Sequence, residues 1–403
     1  MKNNPFEELF VLDMANNHFG DLNHAKKVVK SFSSIKNKYK IKATIKFQFR
    51  DLPDFVHKNY RSSNLKYVRR FLDTRLSDQK FYELFKYIKK NNFLTSCTPF
   101  DEKSVDKIEK FKFDFIKIAS VSALDFNLHE RVVKNKIPKI ISTGGIAVDD
   151  IDKIVSFYLK EKQSFALMHC VSIYPSQNDT LNLNFISNLK DRYQNINIGW
   201  STHEYPDEFM PAPLAAANGA TMFEKHIGIE SKKYKLNEYS IKPAQFEAWY
   251  LNLKKAKSML GNANRNKKIF LSEIKTIKSL SRGVYAKIKI KKNEVINSKN
   301  IYFALPINKG QLSSIDFKPG TKSLIDIEKD NAVKKNKIQF DKSLILKFKK
   351  ASYLHKLRAI LNYHKIKVGE KFDLELSHHR GINNFEKVGC YLFNIVNRKY
   401  TKK

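Results

Sequence analysis

Lysines, hydroxyl residues and histidines recur at one kind of place in this sequence, within or just after a short apolar run. Lys46 and Lys117 lie inside such runs, where a lysine is costly to bury without an anionic partner. Ser142 opens the stretch STGG, whose hydroxyls and backbone N–H groups suit a phosphate, although such a stretch can also be a simple turn. If the fold brings these lysines and hydroxyl groups together, they would form a pocket for a phosphate or a carboxylate.

Two further runs end in histidine, His203 in INIGWSTHEYPD and His226 in TMFEKHI. If these runs are neighbouring strands, the two imidazoles lie close enough to share one metal ion. Two histidines with few fixed carboxylates leave coordination positions open, which a Lewis-acid role requires. The alternative is a pair of core histidines whose hydrogen bonds are satisfied within the protein.

Eight β-branched or aromatic runs, bounded by polar breaks, precede residue 228. They are FVLDMA (10–15), ATIKFQF (43–49), FLTSCTPF (93–100), FIKIAS (115–120), KIIST (139–143), FALMHCV (165–171), INIGWST (196–202) and TMFEKHI (221–227). Most gaps between them have helical periodicity, and Asp149 is the predicted N-cap of one such helix. Alternating strands and helices predict a (β/α)8 TIM barrel, because parallel strands need long crossovers. A doubly wound sheet would need a Gly-rich nucleotide turn after the first strand, and ANNHFGD is not one.

Barrels of this kind carry their active sites at the C-terminal ends of the strands. The polar side chains that the sequence places there include Asp13, Lys46, Gln48, Lys117, Ser120, Ser142, Ser172, Tyr174, Ser201, His203, Glu224 and His226.

A polar segment, GNANRNKK, follows the last predicted barrel helix, and the residues after it form short alternating runs broken by Asn, Pro and Gly. We therefore predict a barrel domain over 1–262, a linker over 263–274, a small β-rich domain over 275–336 and a C-terminal extension over 337–403.

The chain has 403 residues and a formal net charge of +35, from 75 basic and 40 acidic residues. Such a balance can indicate a nucleic-acid partner, but basic and aromatic residues do not interleave as in single-strand binders, so we expect no nucleic acid. No window approaches the roughly 20 apolar residues of a membrane span, and the N-terminus does not read as a signal peptide. With three scattered cysteines and no CxxC motif, we expect a reduced, cytoplasmic location and no membrane partner.

Eight stretches occur in the order typical of the sialic acid synthase family, and the chain resembles that family from residue 10 to about residue 336. They are ANNHFGD, IKFQFRDL, TSCTPF, DFIKIAS, ISTGG, LMHCVSIYPS, IGWSTHE and FEKHIG. The segment that begins at SLSRGVYA resembles the family's small antifreeze-like (SAF) domain. The resemblance implies a TIM barrel followed by a SAF domain and a short C-terminal extension.

Members of this family condense phosphoenolpyruvate with an N-acylated amino sugar and release phosphate, giving nonulosonic acids such as N-acetylneuraminate for cell-surface glycans. The resemblance implies that His203 and His226 bind a divalent metal ion, Mn²⁺ or alternatively Mg²⁺ or Co²⁺, that polarises the sugar aldehyde. It assigns phosphoenolpyruvate binding to Lys46, Lys117, Ser120, Ser142, Ser172 and Ser201. It assigns catalytic or sugar-side positions to Asp13, Gln48, Tyr174 and Glu224.

The chain departs from the family pattern at four places. Family members usually carry a glutamate where this chain has Asp13 and an asparagine where it has Ser172. The family usually has a glutamate where this chain has Ser122, and either Glu204 or Glu224 could replace that acid. The SAF domain commonly contributes an arginine to the N-acyl group of the sugar, where this chain has Leu305 and Pro306. The acceptor sugar is therefore left open by the resemblance.

The resemblance also implies a domain-swapped homodimer, in which the small domain reaches over the barrel of the other subunit. The C-terminal stretch FDLELSHHRGINNFEKVGCYLFNIVNRKY weakly resembles the beginning of a cupin-like module. Two other functions stay open. One is a barrel aldolase or lyase that forms a Schiff base through Lys117, and the other is a sugar-binding homologue without catalysis.

Overall fold

A closed barrel of eight parallel strands forms the first part of the chain in the computed structural model, which describes residues 4–261, 268–318 and 320–340. The strands are β1 (Phe10–Asp13), β2 (Ala43–Phe49), β3 (Leu94–Pro99), β4 (Phe115–Ile118), β5 (Lys139–Ser142), β6 (Phe165–Cys170), β7 (Asn197–Thr202) and β8 (Met222–His226). Each strand lies inside one of the eight apolar runs, and β8 pairs with β1 to close the barrel. The predicted (β/α)8 barrel is confirmed.

Helices connect the strands and pack around the barrel. They are α1 (Leu22–Tyr39), α2 (Leu52–Phe55), α3 (Lys66–Asp73), α4 (Asp78–Lys90), α5 (Glu102–Phe111), α6 (Phe126–Val132), α7 (Val148–Lys160), α8 (Phe185–Arg192), α9 (Pro211–Ala217) and α10 (Pro243–Leu260). The predicted N-cap at Asp149 is wrong, because α7 begins at Val148 and its N-cap is Ala147, which offers no side-chain signal. Asp149 instead lies in the first turn, where a carboxylate interacts favourably with the helix dipole.

The inner face of the barrel is apolar in its lower half and polar in its upper half. Side chains alternate between the two faces of a strand, so residues two apart share one face. The lower inner layer is a separate buried apolar cluster, formed by Phe6, Leu9, Val11, Phe115, Ile140, Ala166, Met168 and Met222. Two residues further along the same strands stand Asp13, Lys117, Ser142 and Glu224. The apolar layer fills the bottom of the barrel, so a site inside it opens at the C-terminal ends of the strands.

The chain divides into two compact units, residues 1–263 and 264–403. In the second unit the structure describes a helix, α11 (Leu271–Ser279), and four short strands, β9 (Gly283–Ala286), β10 (Ile301–Ala304), β11 (Lys322–Ser323) and β12 (Ile338–Gln339). These strands enclose a core of their own that includes Val284, Ile290 and Val333. Helix α11 begins within the predicted linker, and β12 lies just beyond residue 336. The cupin-like prediction lies outside the described residues.

None of the helices in the described ranges combines the length and the apolar character that crossing a bilayer requires.

Candidate active site

The polar upper half of the barrel surrounds a cavity of about 820 Å³. Every residue that the sequence analysis proposed for the site lines this cavity: Asp13, Gln48, Tyr174, Glu224, Lys46, Lys117, Ser120, Ser142, Ser172, Ser201, His203 and His226. They come from β1, β2, β4, β5, β6, β7 and β8 or from the loops directly after them. The structure thus brings the whole predicted set together, while the role of each residue stays a prediction.

Strand register explains the meeting of residues that are distant in sequence. Asp13 on β1 stands opposite Lys46 on β2 and opposite His226 on β8. Ser201 on β7 stands opposite Glu224 on β8. Neighbouring strands lie about 4.8 Å apart, so side chains in register on the same face come into contact.

Lys46 is held between two buried carboxylates. Its Nζ lies 2.9 Å from Asp13 Oδ2 and 2.9 Å from Glu224 Oε1, and all three side chains are at most 5% exposed. Ser201 Oγ donates to the same Glu224 oxygen at 3.1 Å, and the Ala15 N–H donates to Asp13 Oδ1 at 2.8 Å. This geometry fixes the ammonium group in the floor of the cavity.

Burial and charge act in opposite directions on these three groups. Burial raises the pKa of the Asp13 carboxyl above its usual value, and Lys46 offsets only part of that rise. Burial also acts to raise the pKa of Glu224, but Lys117 and Lys46 outweigh it and lower that pKa to about 2. The two carboxylates raise the pKa of Lys46 above its usual value despite its burial. Lys46 and Glu224 are therefore charged at neutral pH.

The opposite side of the cavity carries a second buried lysine among small polar groups. Lys117 Nζ donates to Ser142 Oγ and lies 3.7 Å from Glu224 Oε2. The Gly144 N–H donates to Ser120 Oγ at 3.0 Å. A Cβ added to Gly144 would lie 2.8 Å from Ser120 Oγ and 2.4 Å from Ser172 Oγ, so only glycine leaves this cradle open. Lysine, hydroxyls and close backbone suit an oxyanion such as phosphate.

His203 and His226 face each other across the end of β7 and β8, with ring centroids 5.3 Å apart. Burial is the main cause that lowers the pKa of both imidazoles to about 3, so both are neutral at pH 7. His203 Nδ1 donates to the Val171 carbonyl at 2.8 Å, which leaves Nε2 with a free lone pair. His226 Nδ1 is buried without a hydrogen-bond partner, 3.4 Å from Asp13 Oδ2.

This pair fits a divalent metal ion. Neutral imidazoles with unengaged nitrogens are the usual nitrogen ligands of Mn²⁺ and similar ions, and a hydrogen bond from the second ring nitrogen to a carbonyl orients such a ligand. Within the described ranges no group of three or more His, Cys, Asp or Glu side chains is arranged to hold a metal. If a divalent ion binds here, His203 and His226 are the side chains that would hold it.

The acid that the family carries at Ser122 is not replaced by Glu204. Glu204 pairs with Lys225 at 3.2 Å, with both side chains at most 1% exposed, and it does not line the cavity. Lys225 alternates with Glu224 and His226 on β8, so it points away from the site. Of the two candidates, only Glu224 lies in the cavity.

Sequence reasoning missed the residues that line the outer part of the cavity. Four of them come from the β2–α4 connection: Lys66, Tyr67, Arg70 and Phe71 on α3. Tyr239, from the loop between β8 and α10, lines the same region with Asn237 and Glu238. In the stretch KYVRRF, two basic and two aromatic residues fall on one side of a helix. This pattern is the feature of the sequence from which their place in the cavity wall could have been predicted.

Comparison with known proteins places the chain among proteins that share this barrel. Protein MJ1065 of Methanocaldococcus jannaschii is 31% identical over 292 residues, which cover 72% of this chain and 82% of that protein. The N,N'-diacetyllegionaminic acid synthase of Campylobacter jejuni is 27% identical, over 74% of this chain and 91% of its own length.

Two solved structures agree with these relatives. A structure from Chromobacterium violaceum, described as a spore coat polysaccharide biosynthesis protein E, has a TM-score of 0.79 and 36% identity, covering 83% of this chain and 100% of its own. The N-acetylneuraminic acid synthetase of Leptospira borgpetersenii, in complex with citrate, has a TM-score of 0.60 and 27% identity, covering 68% of this chain and 93% of its own. The model of the NeuB family matches residues 35–265. The chain belongs to the NeuB family, the sialic acid synthase family that its motifs resemble.

Proposed function

We propose that the protein condenses phosphoenolpyruvate with the aldehyde of an N-acylated amino sugar, such as an N-acetylmannosamine-like sugar, to give a nonulosonic acid and inorganic phosphate. The observation that carries this proposal is the pairing, in one cavity, of an oxyanion cradle with two neutral histidines. Relatives whose names are pseudaminic acid synthase and N,N'-diacetyllegionaminic acid synthase support the product class.

Phosphoenolpyruvate binds between the two lysines. Lys117, Ser142, Ser120 and the loop at Gly144 hold its phosphate, and Lys46 with Ser201 meets its carboxylate. The lysines, which are at most 5% exposed, offset the negative charge of this ligand in a buried site, where electrostatic interactions are strong. The enol carbon is thereby directed towards the histidine side of the cavity.

The sugar binds on the histidine side, against Tyr174, whose ring centroid lies 4.2 Å from that of His203. His203 and His226 hold the divalent ion, which supplies polarisation of the aldehyde when it is bound. Gln48 lies on the β2 face that also carries Lys46 and contributes a hydrogen-bonding amide to the same space.

The reaction forms one carbon–carbon bond and breaks one carbon–oxygen bond. The electron pair of the enol double bond attacks the aldehyde carbon, and the aldehyde oxygen becomes a hydroxyl on taking a proton. Water adds to the resulting cationic carbon and loses a proton. The carbon–oxygen bond to phosphate then breaks, which leaves a ketone at that carbon and inorganic phosphate.

Phosphate release from phosphoenolpyruvate tests the proposal. We expect release that needs Mn²⁺ and one sugar from a panel of N-acylated hexosamines, and that chelation abolishes. The same assay with Mg²⁺ or Co²⁺ in place of Mn²⁺ shows which of the three ions supports the fastest phosphate release. Absence of release with every sugar would favour a sugar-binding homologue without catalysis.

A Schiff-base aldolase is the second candidate, and the state of Lys117 favours it. Burial is the main cause that lowers the pKa of Lys117 below its usual value, which increases the share of nucleophilic amine. Borohydride reduction in the presence of a sugar and pyruvate separates the two mechanisms. A stable adduct on Lys117 would favour the aldolase, and metal-dependent phosphate release without an adduct would favour the synthase.

A further inference from the structure

The amide of Gln48 is held by the residue two positions further along the chain. Gln48 lies on β2, Arg50 follows that strand directly, and both side chains line the cavity. Arg50 Nη2 donates a hydrogen bond to Gln48 Oε1 at 3.1 Å. A guanidinium group has only donors, so the amide atom that it contacts must be the oxygen and not the nitrogen. The amide therefore has one defined orientation, with its oxygen towards Arg50.

Two aromatic rings fix Arg50 in place. Its guanidinium carbon lies 3.8 Å from the ring centroid of Phe71, on α3, and 3.7 Å from that of Phe100, just after β3. The rings cover both faces of the planar group, and its N–H donors lie in the plane between them. Another rotamer of Arg50 would lose both ring contacts. The donor that holds Gln48 is therefore itself held.

Nearby carboxylates balance the charge of Arg50 without displacing Gln48 from it. Asp101 and Asp13 attract the guanidinium group, while the Asp101 oxygens accept the backbone N–H groups of Asp51 and Ser104, each at 2.8 Å. Burial lowers the pKa of Arg50 to about 9, so the group is still charged at neutral pH. Its bond to Gln48 is therefore charge-assisted, and such bonds are roughly twice as strong as those between neutral groups.

The nitrogen of the Gln48 amide is the atom left for a ligand. Because Oε1 accepts from Arg50, the amide offers the two N–H donors of Nε2. Gln48 stands two residues beyond Lys46 on the same face of β2, nearer the open end of the barrel. Lys46 pairs with Asp13, which lies 3.4 Å from His226 Nδ1. The donors thus lie close to the part of the cavity that the proposed function assigns to the sugar.

We propose that Arg50 is a positioning residue for the acceptor sugar: it holds the Gln48 amide so that Nε2 donates to an oxygen of the sugar. The inference rests on the proposed function, which assigns this space to the sugar. Without Arg50 the amide can turn over and present its oxygen, and only the fraction of molecules in the donating orientation binds the sugar fully. The position thereby selects a sugar group that accepts a hydrogen bond, a hydroxyl or an acyl oxygen.

Calorimetry tests the inference without turnover. N-acetylmannosamine, N-acetylglucosamine and N-acetylgalactosamine are titrated into the protein with Mn²⁺ and saturating phospholactate, which resembles phosphoenolpyruvate but lacks the double bond. We expect at least one sugar to bind, and Gln48→Glu to bind it about ten-fold more weakly or worse, because a carboxylate still accepts from Arg50 but donates nothing to the sugar. Equal or tighter binding by Gln48→Glu, or no binding of any sugar to the unsubstituted protein, would overturn the inference.

Removal of the guanidinium group tests the role of Arg50 itself. Arg50→Met keeps an apolar side chain between the two rings, and we expect it to weaken binding of the same sugar about three-fold or more. In the Gln48→Met background the same change should have no further effect, because Arg50 acts through Gln48. Arg69→Met is the control: Arg69, on α3, pairs with Asp73 at 2.6 Å, and its loss should leave sugar affinity unchanged.

A merely structural role for Arg50 would give a different result. No weakening by Arg50→Met, equal weakening by Arg50→Met with Gln48 and with Gln48→Met, or equal weakening by Arg69→Met would each overturn the inference. Urea unfolding shows whether Arg50→Met is folded, and Gln48→Glu keeps the inference falsifiable if it is not. Failure of the proposed function is separate, because it shows as absence of phosphate release from phosphoenolpyruvate with every sugar, including one that binds.

Discussion

Lys46 separates the carboxylates of Asp13 and Glu224, 2.9 Å from each. Its removal leaves Asp13 buried without a cationic partner and leaves Glu224 with Lys117 alone, at 3.7 Å. We predict that Lys46→Met lowers the free energy of unfolding at pH 7 by about 3–5 kcal/mol. The loss should be smaller at pH 5, because the two carboxyl groups without Lys46 take up protons more readily in the folded state than in the unfolded state. Urea unfolding at both pH values measures this.

Lys26 provides the control for that substitution. Its ion pair with Glu83 is partly exposed, so Lys26→Met should change the free energy of unfolding by less than about 1 kcal/mol. Equal losses in the two variants would contradict the account of the buried network.

The two histidines make the metal-free protein less stable in acid. Their folded-state pKa of about 3 lies below the ordinary value of 6.5, so below that pH the unfolded chain binds protons that the folded chain does not. Each histidine then lowers the free energy of unfolding by up to about 1.4 kcal/mol per pH unit as the pH falls from 6 to 4. We predict that, with chelator present, the free energy of unfolding of His203→Gln falls less steeply between pH 6 and pH 4 than that of the unsubstituted protein. Urea unfolding at a series of pH values measures both. If the free energy of unfolding fell equally steeply in the two proteins, His203 would already be protonated in the folded state, and this account of the histidine would be contradicted.

At the scale of elements, the loop after β5 is predicted to select phosphoenolpyruvate. A methyl group at Gly144 enters the space between Ser120 and Ser172. We predict that Gly144→Ala raises the KM for phosphoenolpyruvate at least ten-fold while the protein stays folded, as steady-state phosphate release would measure. Gly145→Asn is the control: its φ of +71° suits asparagine, and nothing lies within 4 Å of the added Cβ. Similar KM values in the two variants would contradict the cradle.

Strands and inner-face residues could be predicted from the sequence, but the outer wall of the cavity could not. Lys46 and Gln48, or Glu224 and His226, are two residues apart, and the period of a strand is enough to place them on one face. Arg70 and Tyr239 lie on connections whose path depends on packing between distant segments, and no apolar run marks them. The N-cap of α7 was missed for a similar local reason, because Ala147 has no capping side chain.

At the scale of the molecule, the two units have separate cores, which is consistent with a small domain that can serve another copy of the chain. We propose a homodimer in which the small domain of one subunit covers the barrel of its partner. Light scattering should then give twice the chain mass of 47.0 kDa, about 94 kDa. A monomer that retains full activity at every concentration would contradict this arrangement.

The central claim is that carbon–carbon bond formation and cleavage of the carbon–oxygen bond of phosphoenolpyruvate occur together beside His203 and His226. Phosphoenolpyruvate with ¹⁸O at the oxygen that bridges carbon and phosphorus tests it most directly. With acceptor sugar and Mn²⁺, we predict that the ¹⁸O leaves with inorganic phosphate, as mass spectrometry would show, and that His203→Ala abolishes the release. Retention of the ¹⁸O in the carbon product, or unchanged release by His203→Ala, would contradict the account.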